Sequence, residues 1–292
     1  MDCEGAPRDL GRDQAEAVGP AVRAAASGSA FRGLGDRLGA LDPASRRWLR
    51  DVRRHFPHQG EWIDGLARAA GVPDLALARA MRAALIADPD AIVLAARVAD
   101  GVRVARTAAP EALVRRSRPE GRFESVDLGA AVLTSPWIGV NEGGLGVAVV
   151  AAVAADGACA ASGALLARDC LERFDSVESA LAWCLGRPAA PGTSIALADA
   201  AGGLVGVALE SRGRRVLRGE GGVLVLARAG SDVASLQKAF ASGALDADGF
   251  DAALTRALGD AGADRAARLD PSSRSLRPSR DAAPLRAGVA GD

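Results

Sequence analysis

At 292 residues, with 49% hydrophobic and 25% charged residues, the chain can bury a substantial core and has the make-up of a globular protein, which excludes a disordered or fibrous one. Thirty-six basic residues balance thirty-six acidic ones, so a formal charge of zero gives no support to nucleic-acid binding or to attraction by anionic membranes.

Four cysteines, Cys3, Cys159, Cys170 and Cys184, show neither CxxC spacing nor a disulfide framework. The opening MDCEGAPRDLGRDQAE has acids and no apolar core of a signal peptide. The apolar stretch around Leu145 to Ala155 has about half the length a membrane span needs. A cytoplasmic location is the expectation.

Residues 1–40 are rich in Gly, Ala, Arg and Asp with weak periodicity, which predicts a flexible arm carrying a short helix over Gln14 to Ala26. Asp42 is placed to cap a helix with Pro43 at its first position, and Trp48, Leu49, Val52 and Phe56 follow at helical spacing. Further helices are expected over Glu61–Ala70, ending at Gly71, and from Pro73, with Leu75, Ala78, Met81 and Leu85 on one face. AIVLAARV and VRVART, joined through Asp100-Gly101, read as a β-hairpin. Phe123–Val132, Trp137–Val140 and Gly146–Val153 are further strand candidates.

Two helices follow, over Ser162–Arg173 and Ser176–Leu185, the second with Asp175 as N-cap, Gly186 at its exit and an apolar stripe that includes Cys184. TSIALADAAGGLVGVALES predicts another hairpin and Val223–Leu226 a buried strand. Val233–Leu258 reads as mostly helical, and Leu269–Leu276 as a final edge strand. This order predicts an α+β fold around antiparallel-rich sheets.

Four stretches in order carry a resemblance. WIDGLARAAGVPDLALARAM resembles an E-x-x-G-x-A helical lead-in, and GVNEGGLGVAVVAA a G-x-N-x-x-G strand signature. ALLARDCLERFDSVESALAWCLGRPAAPGTSIALADAAGGLVGVALES resembles a helix pair followed by a strand, an Asp-x-x-Gly turn and a strand ending in Glu210. LDPSSRSLRP resembles a closing strand. Together they are similar to the penicillin (isopenicillin N) acyltransferase and carcinine hydrolase-like family of Ntn hydrolases.

The resemblance implies a four-layer αββα sandwich spanning residues 41–278, with 279–292 as a disordered tail. It also implies a chemistry. Such precursors cut themselves before a cysteine, whose thiol attacks an amide or thioester carbonyl with its own α-amine as base. A downstream Asp holds the new N-terminus, and a later Asn in a Thr-x-Asn-His-like segment helps form the oxyanion hole.

Matched onto this chain, the nucleophile position falls at Ala91, about ten residues before Gly101, and no Cys, Ser or Thr occurs from Gly71 to Arg106. The run Arg106-Thr107-Ala108-Ala109 puts Ala109 at the Asp position. EGGVLVLARAG, with Leu224, Val225 and Leu226, replaces the Asn segment. The expectation is therefore a catalytically degenerate, non-cleaving member with a binding or structural role. An open cavity beside Ala91 would favour ligand binding, and infilling by Leu224 or Leu226 a structural role.

Asn141 and Glu142 remain as binding candidates, although a turn-capping Asn explains the first equally well. Arg168, Asp199 and Glu210 are retained as architecture, with Glu210 expected as a solvated strand end or salt-bridge partner. Gly143, Gly144 and Gly146 fit a tight turn entering a strand better than a phosphate cradle.

His55 and His58, around Pro57, suit helix C-terminal pairing better than a metal site. Asp88-Pro89-Asp90 reads as a turn. Arg115, Arg116, Arg118 and Arg122 read as a basic, solvated loop. No cofactor or metal is expected. The expected partner is a small acyl or amide ligand, with a homo-oligomer left open and neither nucleic acid nor membrane. The alternative is an active linear-amide C–N hydrolase or acyltransferase with a displaced nucleophile. Its candidate is Cys159, in an exposed loop; Cys3 lies too far upstream.

Overall fold

The computed structural model describes residues 1–28, 42–86, 90–108, 112–151, 159–228, 233–241, 247–279 and 281–288. Strands and helices are numbered in chain order. One sheet runs β1 (Asp2–Gly5), β4 (Leu113–Pro119), β5 (Ser125–Gly129), β6 (Ile138–Asn141), β7 (Leu145–Ala151), β8 (Thr193–Asp199), β9 (Leu204–Glu210) and β10 (Gly213–Leu217). The other runs β11 (Val223–Ala227), β2 (Ile92–Val98), β3 (Gly101–Thr107), β12 (Ala266–Asp270), β13 (Ser275–Arg277) and β14 (Leu285–Arg286). Every neighbouring pair is antiparallel except β1 with β4.

The two-residue period of the strands sorts their side chains between layers. Ala148, Val150, Ala196 and Ala198 of the first sheet meet Val93, Ala95, Val102, Val104 and Leu269 of the second in one inter-sheet core. Val147, Val149, Ile195 and Leu197 point the other way. They pack under α2 (Pro43–His55), α3 (Pro57–Ala70), α4 (Asp74–Ile86), α5 (Ala164–Arg173) and α6 (Val177–Gly186). The outer face of the second sheet, Leu94, Ala96, Ala105, Val223 and Val225, is covered by α8 (Ala247–Arg265), with α7 (Val233–Ala241) against β11. The result is a four-layer αββα sandwich, as expected.

Local signals explain several boundaries. Asp42 Oδ1 accepts from the amides of Ala44 and Ser45, ahead of Pro43. The expected cap at Asp175 is not used. Ser176 stands at that position without a side-chain capping bond, and Asp199 Oδ2, from β8, accepts from the Val177 amide instead. Asp199 Oδ1 also accepts from Ala201 and Gly203, so this one carboxylate ties a helix start to a hairpin turn.

The expectation of a flexible arm over 1–40 is corrected for residues 2–28. Here β1 pairs with β4 in the register Asp2↔Arg116, and α1 (Pro7–Gly28) buries Leu10, Gln14 and Val22. Residues 29–41 lie outside the described part. Periodicity was weak because α1 docks through small residues. A Cβ on Gly11 would overlap the backbone of Trp62 and Leu66 in α3, and one on Gly65 would overlap the Arg8 carbonyl. The two glycines let the helix backbones touch. At the other end, β14 pairs with β13 and Ala287 is buried, so part of the expected tail joins the sheet. Likewise the segment 269–276 is not one edge strand but the β12–β13 hairpin, with β12 interior to the sheet.

The expected basic loop is also corrected. Arg115, Arg116 and Arg118 lie in β4, and Arg115 is fully buried. Its Nη2 donates to Asp127 Oδ1 at 2.9 Å, and Arg168 Nη2 of α5 donates to Asp127 Oδ2 at 2.5 Å. Both guanidinium groups lie 5.1 Å from the Trp62 ring centre. Trp62 Nε1 donates to Gln14 Oε1, whose amide donates to the carbonyls of Ala131 and Leu133. Arg115 and Arg168 also donate to the Thr134 carbonyl. This buried network joins α1, α3 and α5 to β4 and β5.

Burial alone would raise the Asp127 carboxyl, but the charges and hydrogen bonds of Arg115 and Arg168 outweigh it and hold the group below its usual range. A depressed folded value contributes stability that is complete above the unfolded value near about 4 and is lost as pH falls through the folded one. Asp127→Asn leaves two buried cations short of a counter-charge and is expected to cost about 3–5 kcal/mol at neutral pH. In urea denaturation its deficit against the wild type should shrink on acidification below about pH 4. Gly65→Ala should lower stability by about 1–3 kcal/mol, whereas Gly186→Ala, with open space around it, should not. Urea midpoints of the two variants check this.

Candidate functional site

Ala91 stands at the head of β2 and is buried, facing the inter-sheet core with Val93 and Ala95. Antiparallel pairing brings β3 and β11 to either side of β2, with Val93 opposite Arg106 and Leu226. Leu224 and Leu226 are both buried in the same inter-sheet cluster as Ala91. The position matched to the nucleophile is thus a methyl group in an apolar layer.

The backbone on both sides of Ala91 is fastened by one hydroxyl. Thr107 Oγ1 accepts from the Ile92 amide at 3.0 Å and donates to the Asp90 carbonyl at 3.3 Å. That hydroxyl is therefore spent on holding a continuous chain through Asp90, Ala91 and Ile92. Asp88 and Pro89 of the expected turn, and Ala109, lie outside the described residues.

Arg106 is the polar residue that sequence reading passed over. It continues the inward series Val102, Val104 and is buried where an apolar side chain would be ordinary. Its Nε donates to the Val149 carbonyl of the opposite sheet at 2.8 Å, its Nη1 to the Thr107 carbonyl, and its guanidinium lies 5.0 Å from the Trp137 ring centre. The signal was available: an arginine two places after two inward valines at a strand end. The void bounded by Leu85, Arg106, Trp137, Val149, Ala151 and Ala164 measures about 10 Å³. This is room for about one water.

The other candidates fall elsewhere. Asn141 is fully buried: its amide donates to the carbonyls of Leu171 and Phe174, and its Oδ1 accepts from the Leu145 amide. It ties the β6–β7 turn, which contains Gly143 and Gly144, to the end of α5. Glu142 Oε1 accepts from the Glu124 amide at 3.0 Å, across the adjoining strand. Neither residue lies with Ala91. Glu210 is half-exposed and paired with Arg215 at 2.7 Å. Arg168 belongs to the Asp127 network.

His55 ends α2, and its carbonyl accepts from Arg187. His58 opens α3 rather than closing a helix. Its Nε2 sits 2.8 Å from Asp169 Oδ1 and 3.3 Å from Glu172 Oε2, neither contact aligned as a hydrogen bond. Burial raises the Glu172 carboxyl, partly opposed by His58 and Arg168. Among the described residues no group of three His, Cys, Asp or Glu is arranged to hold a metal ion, and no helix is long and apolar enough to cross a membrane.

The exposed-loop reading of Cys159 is corrected. Its residue is 8% exposed and packs in the cluster under the outer helices, and the neighbouring Ala160 amide is held by Asp51 Oδ2. Burial raises the thiol's pKa and the Asp51 charge adds to this, outweighing the Ala161 amide. Cys3 is pushed up to about 11, chiefly by burial. Cys170 and Cys184 are fully buried with their sulfurs 3.6 Å apart. Buried thiols are poor nucleophiles.

No family model matches the chain, and no curated protein matches it in sequence. Solved structures resemble it in fold. A variant of the conjugated bile acid hydrolase from Clostridium perfringens aligns with a TM-score of 0.50 at 12% identity, over 67% of this chain and 92% of that one. An N-acylethanolamine-hydrolyzing acid amidase ortholog from Caenorhabditis elegans aligns at 0.48 and 14%, over 62% and 93%. Penicillin V acylase from Agrobacterium tumefaciens aligns at 0.42 and 13%, over 66% and 84%. What the first likeness establishes is the fold: the chain has the Ntn-hydrolase architecture.

With its cysteines buried, the folded protein is expected to react with iodoacetamide at neutral pH far more slowly than the same protein in urea, where four thiols titrate near their free values. Mass spectrometry after timed alkylation reads this directly. Rapid native modification of Cys159 would restore it as a reactive thiol.

Proposed function

We propose that this chain is a non-cleaving, non-acylating protein on the Ntn-hydrolase scaffold, serving a structural or binding role. The carrying observation is Ala91, placed at the head of β2 with the Thr107 hydroxyl bonded to the backbone on both sides of it. An alanine offers no thiol or hydroxyl for the acyl shift that starts self-cleavage, nor for attack on a carbonyl.

Two further features support the reading. Leu224 and Leu226 are buried in the same inter-sheet cluster as Ala91, and the void beside Arg106 is about the size of one water. Both favour structural use of this layer over retention of an acyl pocket. Against the displaced-nucleophile alternative stand the burial of Cys159 and the rise that burial gives its thiol's pKa.

Intact-mass analysis is the direct test. The purified chain should run as one uncut species of 29.6 kDa. Activity-based acyl probes and chromogenic linear amides should give neither a labelled adduct nor a burst. Cleavage between Asp90 and Ala91, or a stoichiometric adduct on any residue, would overturn the proposal. Ala91→Cys alone should not create an active enzyme, because its α-amine stays in a peptide bond unless the chain is first cut.

A further inference from the structure

On the outer face of the second sheet, α8 covers Ala105, and a polar strip runs beside it toward β12 and β13. The strip borders a cleft of about 240 Å³ lined by Arg103, Asp251, Arg268, Asp270, Ser275 and Arg277, with Phe250 and Pro284 at its sides. Register places these side chains together. Arg268 is the direct cross-strand partner of Arg277, and Asp270 of Ser275. Arg286 is opposite Ser275 on β14 and shares the same face.

The charges on this strip do not balance. Arg103 is held by Asp100 at 2.6 Å and by Asp270 at 3.0 Å, so that corner sets two carboxylates against one guanidinium. Arg268 Nε donates to Asp251 Oδ1 at 2.5 Å and its Nη1 to the Ala266 carbonyl, but its Nη2 is buried with no acceptor. Arg277 has no ion pair or side-chain hydrogen bond among the described residues. Arg268 and Arg277 are thus direct cross-strand partners, and of the two Arg268 is the one paired with a carboxylate. Like charges so placed repel, and a buried donor without an acceptor costs stability.

A multi-oxygen anion seated at this pair relieves the repulsion. We infer that this cleft is an anion site for a phosphate group, either free or on a small phosphorylated molecule. Arg277 supplies the free guanidinium. Arg268, oriented by Asp251 and 91% buried, supplies the fixed donor, and Ser275 adds a hydroxyl already bonded to Ser273 Oγ at 2.7 Å. Planar guanidinium forks suit phosphate oxygens, and a tetrahedral anion can bridge two of them at once. The site lies on the face of β2–β3–β12 opposite the Ala91 layer, so it stands independently of whether that layer is catalytic.

The test is thermal denaturation of the full chain in inorganic phosphate against sodium chloride at equal ionic strength. Phosphate is expected to raise Tm saturably at millimolar concentration, and Arg277→Gln to weaken the apparent affinity at least tenfold. Arg215→Gln, on the far edge of the other sheet, should respond like the wild type. Without phosphate, Arg277→Gln should be as stable as the wild type or more so, because the Arg–Arg repulsion is relieved. Four outcomes overturn the inference: no saturable rise beyond the salt control, an unaltered response in Arg277→Gln, loss of stability in that variant without phosphate, or an equal rise with acetate.

Discussion

Asp127 is completely buried between two guanidinium groups, and the packing of the helical layer on the first sheet depends on that placement. Three ionised groups out of water would be costly without strong mutual attraction and full hydrogen bonding. Both conditions hold here. Each carboxylate oxygen receives an arginine, the remaining donors go to the carbonyls of Leu133 and Thr134 and to Ser125 Oγ, and Trp62 presents its ring to both cations. Such a network tolerates little displacement, so it fixes where α5 and α3 sit on β4 and β5. Gln14 extends the same restraint to α1.

The second constraint is steric. The contact of Gly11 with α3 and of Gly65 with α1 brings the helix backbones together, and Leu10 and Trp62 close with Cys3 around the joint. The N-terminal segment is therefore integral to the outer layer. The inter-sheet layer, by contrast, is built from small and medium apolar side chains, with Arg106 as its polar member. That arginine bridges the two sheets at the end where β2 begins, and Thr107 beside it fastens the Asp90–Ile92 backbone. The head of β2 is thus a closed strand start.

Much of the architecture was legible in the residues. The β2–β3 hairpin, the β8–β9 hairpin and β11 followed from alternating apolar residues and their turn signals, because a strand buried on both faces leaves a dense apolar run. Helices α2 to α6 followed from caps and stripes. Four strands escaped. Of these, β1 is short and polar, β4 and β10 carry arginines, and β14 spans two residues. Their pairing is decided by the neighbouring strand's unsatisfied backbone, which leaves no local mark.

At the candidate site, the sequence by itself determined that no Cys, Ser or Thr occurs from Gly71 to Arg106, since residue identity is independent of folding. It also determined the α+β class, because hydrophobic period encodes which face is buried. Only the tertiary structure decided that Arg115 is an interior ion rather than a loop charge, that Cys159 is buried, that Asn141 is spent on a turn, and that Arg268 and Arg277 face one another. Those are facts of environment. Burial and partner depend on which residues the fold brings alongside, and the same arginine is solvated or interior according to what the sheet places opposite it.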